Sequence, residues 1–335
     1  MILDGQRNLH RGARGAVGLA LGWSLGFAPV GCDSPTVTRP RPQPYGCVTD
    51  VAPGLHTFTC EGLRTDLFVP PACAEAGCGL ILELHGDTGT GLLIDANTGL
   101  MQQEAGGNFV VVAPTGPPRS DGLGPTWTLA EDDKLIAITQ TVAGAFRTNP
   151  KANHLTGFSR GGYVTWRLLC AHAEFFASVA PAAAGSSPGD GCAGVPEVSC
   201  PFDAAIPGGM PSRPIPVLFL IGRTDVPVPF PCASRLRDQA IAAWGLGAPQ
   251  ALAGDAGYSH KRWSSGPADG PALLETFEHA YETVADGPMA AFKGHCIPGS
   301  AFDPYAPQYA VACAPPNAFR WGEEVLRFFK QHPAP

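Results

Sequence analysis

Charge is scarce in this chain. Lys and Arg number 22 and Asp and Glu 29 among 335 residues, so 15% of positions are charged and the formal balance is −7. No long basic stretch follows residue 14, so the chain lacks the electrostatic footprint of a nucleic-acid binder. Glycine follows no fixed period and no heptad pattern runs through the sequence, which excludes collagen and coiled coil. The cysteines show no C-x-x-C pair of a zinc site. The Gly-rich stretch Gly86 to Gly91 lacks the Lys-Ser/Thr ending of a phosphate-binding loop. No metal cluster and no nucleotide fingerprint stand out, so neither a metal nor a cofactor is expected.

What is present is apolar and punctuated. Hydrophobic residues make up 44%, beside 42 Gly and 35 Pro. That much apolar residue opposes disorder, and the Gly and Pro content predicts many loops. The length suffices for one large domain with a sizeable core. Eleven cysteines are too many for an ordinary cytosolic enzyme, and disulfides in an exported protein are the simpler reading.

The N-terminus agrees with export. Arg7, Arg11 and Arg14 precede Gly15 to Gly31, a stretch without a charge that is rich in Ala, Leu, Val and Gly. A positive n-region followed by an apolar h-region reads as a signal peptide over residues 1–31. A membrane-spanning anchor is the rival, but the stretch is short for a hydrocarbon core of ~20 residues. Pro29-Val30-Gly31-Cys32 resembles a bacterial lipobox, with Pro29 where Leu is usual. A lipid on Cys32 is then the expected membrane contact. Residues 32–45 are Pro-rich and read as an extended tether. Residues 46–335 show no second linker and no internal repeat, so they count as one domain.

Within that domain, apolar runs alternate with helical patterns. Strands are predicted at Thr65 to Val69, Leu80 to Leu84, Phe109 to Val112, His154 to Thr156, Phe176 to Ala182, Val217 to Ile221 and Glu275 to Tyr281. Helices are predicted at Leu135 to Phe146, Tyr163 to Cys170, Arg235 to Trp244 and Glu323 to Phe329. This alternation implies an α/β class, a mostly parallel central sheet with helices on both faces. Ligands on such sheets bind at the C-terminal ends of the strands.

Gly157-Phe158-Ser159-Arg160-Gly161 is a G-x-S-x-G motif between a strand pattern and a helix pattern. A tight strand-to-helix turn would lift the Ser159 hydroxyl above the sheet, with small residues on either side. A nucleophilic serine needs a base, and the base an orienting carboxylate. Asp225 follows the apolar run Val217 to Ile221, and His295 lies in a later loop, giving the order Ser159, Asp225, His295. His279, His172 and His260 are rival bases, and Asp203 and Asp255 rival acids. The oxyanion needs two preorganised donors. The backbone N–H groups of Arg160 and of Asp87, in His85-Gly86-Asp87-Thr88-Gly89, are the candidates. His85 reads as a brace for that loop. Trp127, in Gly124-Pro125-Thr126-Trp127, is the candidate for stacking on a substrate ring.

The string Leu84-His85-Gly86, Ala113-Pro114, Trp127, Thr156 to Gly162, Asp225 and Gly294-His295 resembles a secreted α/β-hydrolase esterase family. That family holds feruloyl esterases, acetylxylan esterases and extracellular polyhydroxybutyrate depolymerases. The resemblance covers most of residues 55 to 330 and implies an α/β-hydrolase fold for the catalytic domain at 46–335. It also implies a Ser159-His295-Asp225 triad and an oxyanion hole from the loop after His85-Gly86. Two departures stand out. Cys296-Ile297-Pro298-Gly299 replaces the frequent Trp-Pro-Gly, and Phe158 stands where tannase-like relatives carry a cysteine.

By proximity in sequence, Cys73 with Cys78, Cys192 with Cys200, Cys47 with Cys60 and Cys296 with Cys313 are the expected bridges, leaving Cys170 and Cys232. The expected function is a secreted or surface-anchored serine esterase acting on a polymeric or aryl ester, without nucleic acid. A serine peptidase of the same fold and a non-catalytic binding lipoprotein are the alternatives.

Overall fold

Strands buried on both faces form the middle of the sheet, and most of their residues are apolar. A computed structural model describes residues 41–75, 77–186, 192, 200–266, 272–283, 291–300 and 311–334. The expected signal peptide over residues 1–31, the lipobox-like stretch at Cys32 and most of the expected tether lie outside the described residues.

In chain order the strands are β1 (Gly54–Cys60), β2 (Leu63–Val69), β3 (Gly79–Leu84), β4 (Phe109–Pro114), β5 (Asn153–Phe158), β6 (Ser178–Ala182), β7 (Val217–Gly222), β8 (Gln250–Gly254), β9 (Tyr258–Ser264) and β10 (Ala272–His279). The α-helices are α1 (Gly91–Thr98), α2 (Leu100–Gln103), α3 (Asp132–Phe146), α4 (Arg160–Ala171), α5 (Phe230–Ala243) and α6 (Trp321–Gln331). All strands join one sheet in the order β1-β2-β4-β3-β5-β6-β7-β10-β9-β8. The six strands from β4 to β10 along that order are parallel, and antiparallel hairpins extend both edges.

Alternation along the central strands sorts the core into two layers. Leu80, Leu82 and Leu84 of β3, with Val217, Phe219 and Ile221 of β7, pack against Leu135, Val142, Trp166 and Leu236 of α3, α4 and α5. The opposite face, with Ile81, Val111, Leu218 and Leu220, packs against Ile94, Trp321, Val325 and Phe328 of α1 and α6. The chain therefore has helices on both faces of a mostly parallel sheet, as its sequence pattern predicts.

Some element boundaries differ from those that the sequence pattern predicts. Helix α5 begins at Phe230 instead of Arg235, because Pro231 sits in its first turn, where a missing N–H costs nothing. Strand β6 begins at Ser178, with Phe176 and Ala177 forming a buried lead-in. The β8–β9 hairpin was not anticipated. Every residue of β8 is exposed, so no alternation of buried and exposed positions marks the strand.

Five bridges are formed among the described residues. Cys47–Cys60, Cys73–Cys78 and Cys296–Cys313 are those expected. The expected Cys192–Cys200 bridge is replaced by Cys170–Cys200 and Cys192–Cys232, with Cα separations of 5.3 and 5.7 Å. Cys200 meets the end of α4 and Cys192 the first turn of α5. The long β6–β7 connection is thus stapled to two helices instead of to itself.

Candidate active site

Strand β5 must turn abruptly to become α4, and Ser159 takes the turn at φ 55° and ψ −119°. An L-residue holds such a conformation only when its surroundings impose it, at a cost of order 1–3 kcal/mol. Here the Ser159 N–H donates to the Ala182 carbonyl at 2.9 Å, and its carbonyl accepts from the Tyr163 N–H at 3.0 Å. The flanking glycines are required for space. A Cβ on Gly157 would lie 2.4 Å from the Gly161 carbonyl oxygen, and one on Gly161 would lie 2.3 Å from that of Leu84.

Asp225 stands in the loop that leaves the C-terminal end of β7. Its Oδ1 accepts the Val228 N–H at 2.7 Å, and its Oδ2 lies 2.8 Å from His295 Nδ1. An ionised carboxylate can only accept, so Nδ1 carries the proton and Nε2 has a lone pair to offer. Both side chains are buried. The two loops are also joined through backbone, since the Val226 N–H donates to the Lys293 carbonyl at 2.9 Å. Gly294 permits this approach: at φ +70° its Cβ position would fall 2.4 Å from the Thr224 carbonyl carbon. Immediately after His295, the Cys296–Cys313 bridge and the Ile297–Ala312 pairing fasten the loop.

Ser159 and His295 line one cavity of about 500 Å³. Phe158, just before the serine, rests against the His295 ring with centroids 4.7 Å apart. Ring packing therefore links the serine turn to the His295 loop. Val228, Phe292, Leu93, Ile94 and Leu123 add apolar wall. Tyr163 also lines it, and burial pushes its phenol up, with the nearby Asp225 charge adding to that.

The rival groups stand outside the cavity. His260 pairs with Glu275 at 2.9 Å, His172 lies by Glu174, and His279 is buried, its imidazole pushed down to about 3 chiefly by desolvation. Asp203 and Asp255 accept backbone N–H groups of their own turns. None of these five lines the cavity. Among the described residues, His279, Cys296 and Cys313 form a metal-like cluster, but the two sulfurs are bonded to each other.

The loop after β3 is braced from three directions. His85 Nε2 accepts the Gly116 N–H at 2.9 Å, so Nδ1 carries the proton and donates to the Gly86 carbonyl at 2.6 Å. Burial pushes His85 down to about 4, which keeps it neutral. The Asp87 carboxylate accepts the Thr126 hydroxyl and Arg160 Nε, and Arg119 Nη1 stands 3.6 Å from its Oδ2. The carboxylate is thus engaged by its neighbours, and neither the Asp87 nor the Arg160 N–H has an acceptor among the described residues. Both residues line the cavity.

Trp127 corrects the sequence reading. It is 1% exposed and does not line the cavity. Its Nε1–H donates to the His85 carbonyl at 2.9 Å, and its ring packs on the His85 ring at 4.7 Å. It supports the loop from below and has no face for a substrate. Arg119 and Phe292, which do line the cavity, carried no sequence signal, since neither sits in a recognisable motif.

No family model and no curated protein matches the chain. Solved structures do. An acetyl xylan esterase from Aspergillus awamori superposes with a TM-score of 0.54 at 15% identity, over 68% of this chain and 92% of that one. A carboxylesterase from Mesorhizobium loti matches at 0.42 and 18% identity, over 57% of this chain and 85% of the other. The sheet order, the serine turn after β5 and the acetyl xylan esterase superposition lead to one conclusion: the chain has the α/β-hydrolase fold.

Proposed function

We propose that this protein is an extracytoplasmic serine esterase. Ser159 attacks the ester carbonyl as His295 Nε2 takes its proton, and Asp225 holds the imidazole tautomer and balances the imidazolium. The N–H groups of Asp87 and Arg160 receive the tetrahedral oxyanion. The intermediate collapses when His295 returns the proton to the leaving alcohol, which leaves an acyl-serine. Water repeats the sequence, releases the acid and restores Ser159. The observation that carries this reading is a strained serine sharing a cavity with a histidine whose Nδ1 is committed to a buried carboxylate.

Five disulfides support an oxidising compartment. The cavity wall is mostly apolar, which favours an aliphatic or aryl ester, and the sequence resemblance favours one drawn from a polymer or its oligomers. The test is a burst assay with a 4-nitrophenyl ester. One equivalent of nitrophenol should be released before steady turnover, and Ser159→Ala should abolish both phases. Turnover in Ser159→Ala comparable to that of the parent would end the proposal.

A further inference from the structure

Arg160 has more hydrogen-bonding capacity than its neighbours use. Its Nε donates to Asp87 Oδ1 at 3.3 Å, while Nη1 and Nη2 have no acceptor among the described residues. The side chain is 25% exposed, and the residue lines the same cavity as Ser159. Asp87 cannot saturate it. Oδ1 also takes the Thr126 hydroxyl, and Oδ2 faces Arg119 Nη1 at 3.6 Å. Two guanidinium groups therefore share one carboxylate on the cavity wall. Arg119 commits Nε and Nη2 to Asp121, which leaves Arg160 with the free fork.

Leu93, Ile94, Leu123, Val228 and Phe292 make much of the remaining wall apolar, with Thr88, Asn97 and Tyr163 as polar members. An apolar cavity with a half-buried guanidinium next to the nucleophile suits one kind of ester. Its body is apolar, and an anionic group lies within a side chain's reach of the scissile carbonyl. Guanidinium and carboxylate match as two parallel hydrogen bonds. A neutral ester of the same shape would cover the fork without satisfying it, which is costly. The protein as a whole offers no long-range attraction for anions, because its formal charge is −7. Any preference must then arise at contact distance.

We propose that Arg160, fixed through Asp87 and backed by Arg119, reads a carboxylate on the substrate. The site then favours esters that carry a free acid group near the bond to be cut. The free end of a hydroxy-acid oligomer belongs to this class. This inference rests on the esterase reading of Ser159.

Two matched substrate pairs test it, one with the charge on each side of the ester. On the acyl side the pair is mono-4-nitrophenyl glutarate and 4-nitrophenyl valerate. On the alcohol side it is the butyrate ester of 4-hydroxybenzoate and that of methyl 4-hydroxybenzoate. The readout is the ratio of kcat/KM, anionic over neutral, compared between parent and variant so that intrinsic reactivity cancels. In at least one pair the ratio should fall about tenfold or more in Arg160→Met. Arg160→Lys, which keeps the charge but loses the fork, should fall between. In the parent protein, benzoate should inhibit more strongly than benzamide, a measurement that needs no variant. Unchanged ratios in Arg160→Met for both pairs, or inhibition by benzamide equal to that by benzoate, would overturn the inference. Those results with Ser159-dependent turnover of the neutral esters would leave the esterase reading standing. Absence of turnover on every ester would remove both.

Discussion

Single residues carry the chemistry, and their coupling can be measured. In the proposed mechanism Ser159 and His295 share one proton transfer, so losing either would remove the whole pathway. His295→Ala should reduce kcat about as much as Ser159→Ala, and the double variant should cost little more. Asp225→Asn should be severe but milder, since it disturbs the tautomer that Nδ1 adopts at 2.8 Å from Oδ2. Strict additivity of the two alanine changes would show that the residues act separately. A different residue, Glu83 in β3, sits fully buried, and among the described residues its carboxyl has the Thr98 hydroxyl as its one partner, at Oε1. Burial, helped by repulsion from Asp95, raises its pKa well above the usual carboxylate range, and Asp95 itself is raised to about 6, mainly by burial. Groups raised in the folded state bind protons that the unfolded chain has released. Their contribution is therefore lost as pH climbs from the unfolded carboxylate value towards the folded one. Glu83→Gln removes that loss, so it should raise Tm more at pH 8 than at pH 5. An equal change in Tm at both values would refute the assignment.

At the scale of elements, the site depends on loops that are held by unlike devices. Thr126 donates to Asp87, whose N–H is one proposed oxyanion donor. Thr126→Val should lower kcat several-fold with a smaller change in KM, because the displaced donor matters most in the transition state. A pure KM effect would place Asp87 in binding only. The His295 loop is clamped by Cys296–Cys313, whereas Cys73–Cys78 closes a short loop that does not line the cavity. Cys313→Ser should therefore reduce turnover more than Cys78→Ser at a temperature where both remain folded. Equal losses would mean that the bridges serve stability alone.

The same elements show what a sequence can reveal. Strands β3, β4 and β7 were legible because they are buried on both faces and contain little else than apolar residues. The candidate nucleophile was legible because its turn admits so few residue types, as the positions of Gly157 and Gly161 demonstrate. Asp225 and His295 could be proposed from chain order, but only the folded chain brings them 70 residues apart into one hydrogen bond. Trp127 misled because an aromatic residue in a Gly-Pro loop looks the same whether it faces solvent or a buried histidine. Strand β8 was invisible because exposed edges follow no hydrophobic rule.

At the scale of the whole molecule, the stapled β6–β7 connection bears on how the protein is made. Four cysteines, Cys170, Cys192, Cys200 and Cys232, admit three pairings. The one adopted is interleaved, because each bridge has one end inside the span of the other. As the chain emerges N-terminus first, Cys192 meets Cys200 before it can meet Cys232, and the nearest partner in sequence is the wrong one. Correct pairing requires that α4 and α5 already lie on their sheet, or that early bonds be exchanged. Refolding of the reduced protein in oxidant alone should therefore accumulate a Cys192–Cys200 species without the proposed esterase activity. A glutathione redox buffer should convert it to the active form, with peptide mapping as the readout. Equal recovery under both conditions would mean that folding runs ahead of oxidation. Yield in a host would then depend on how fast the sheet assembles and not on thiol exchange.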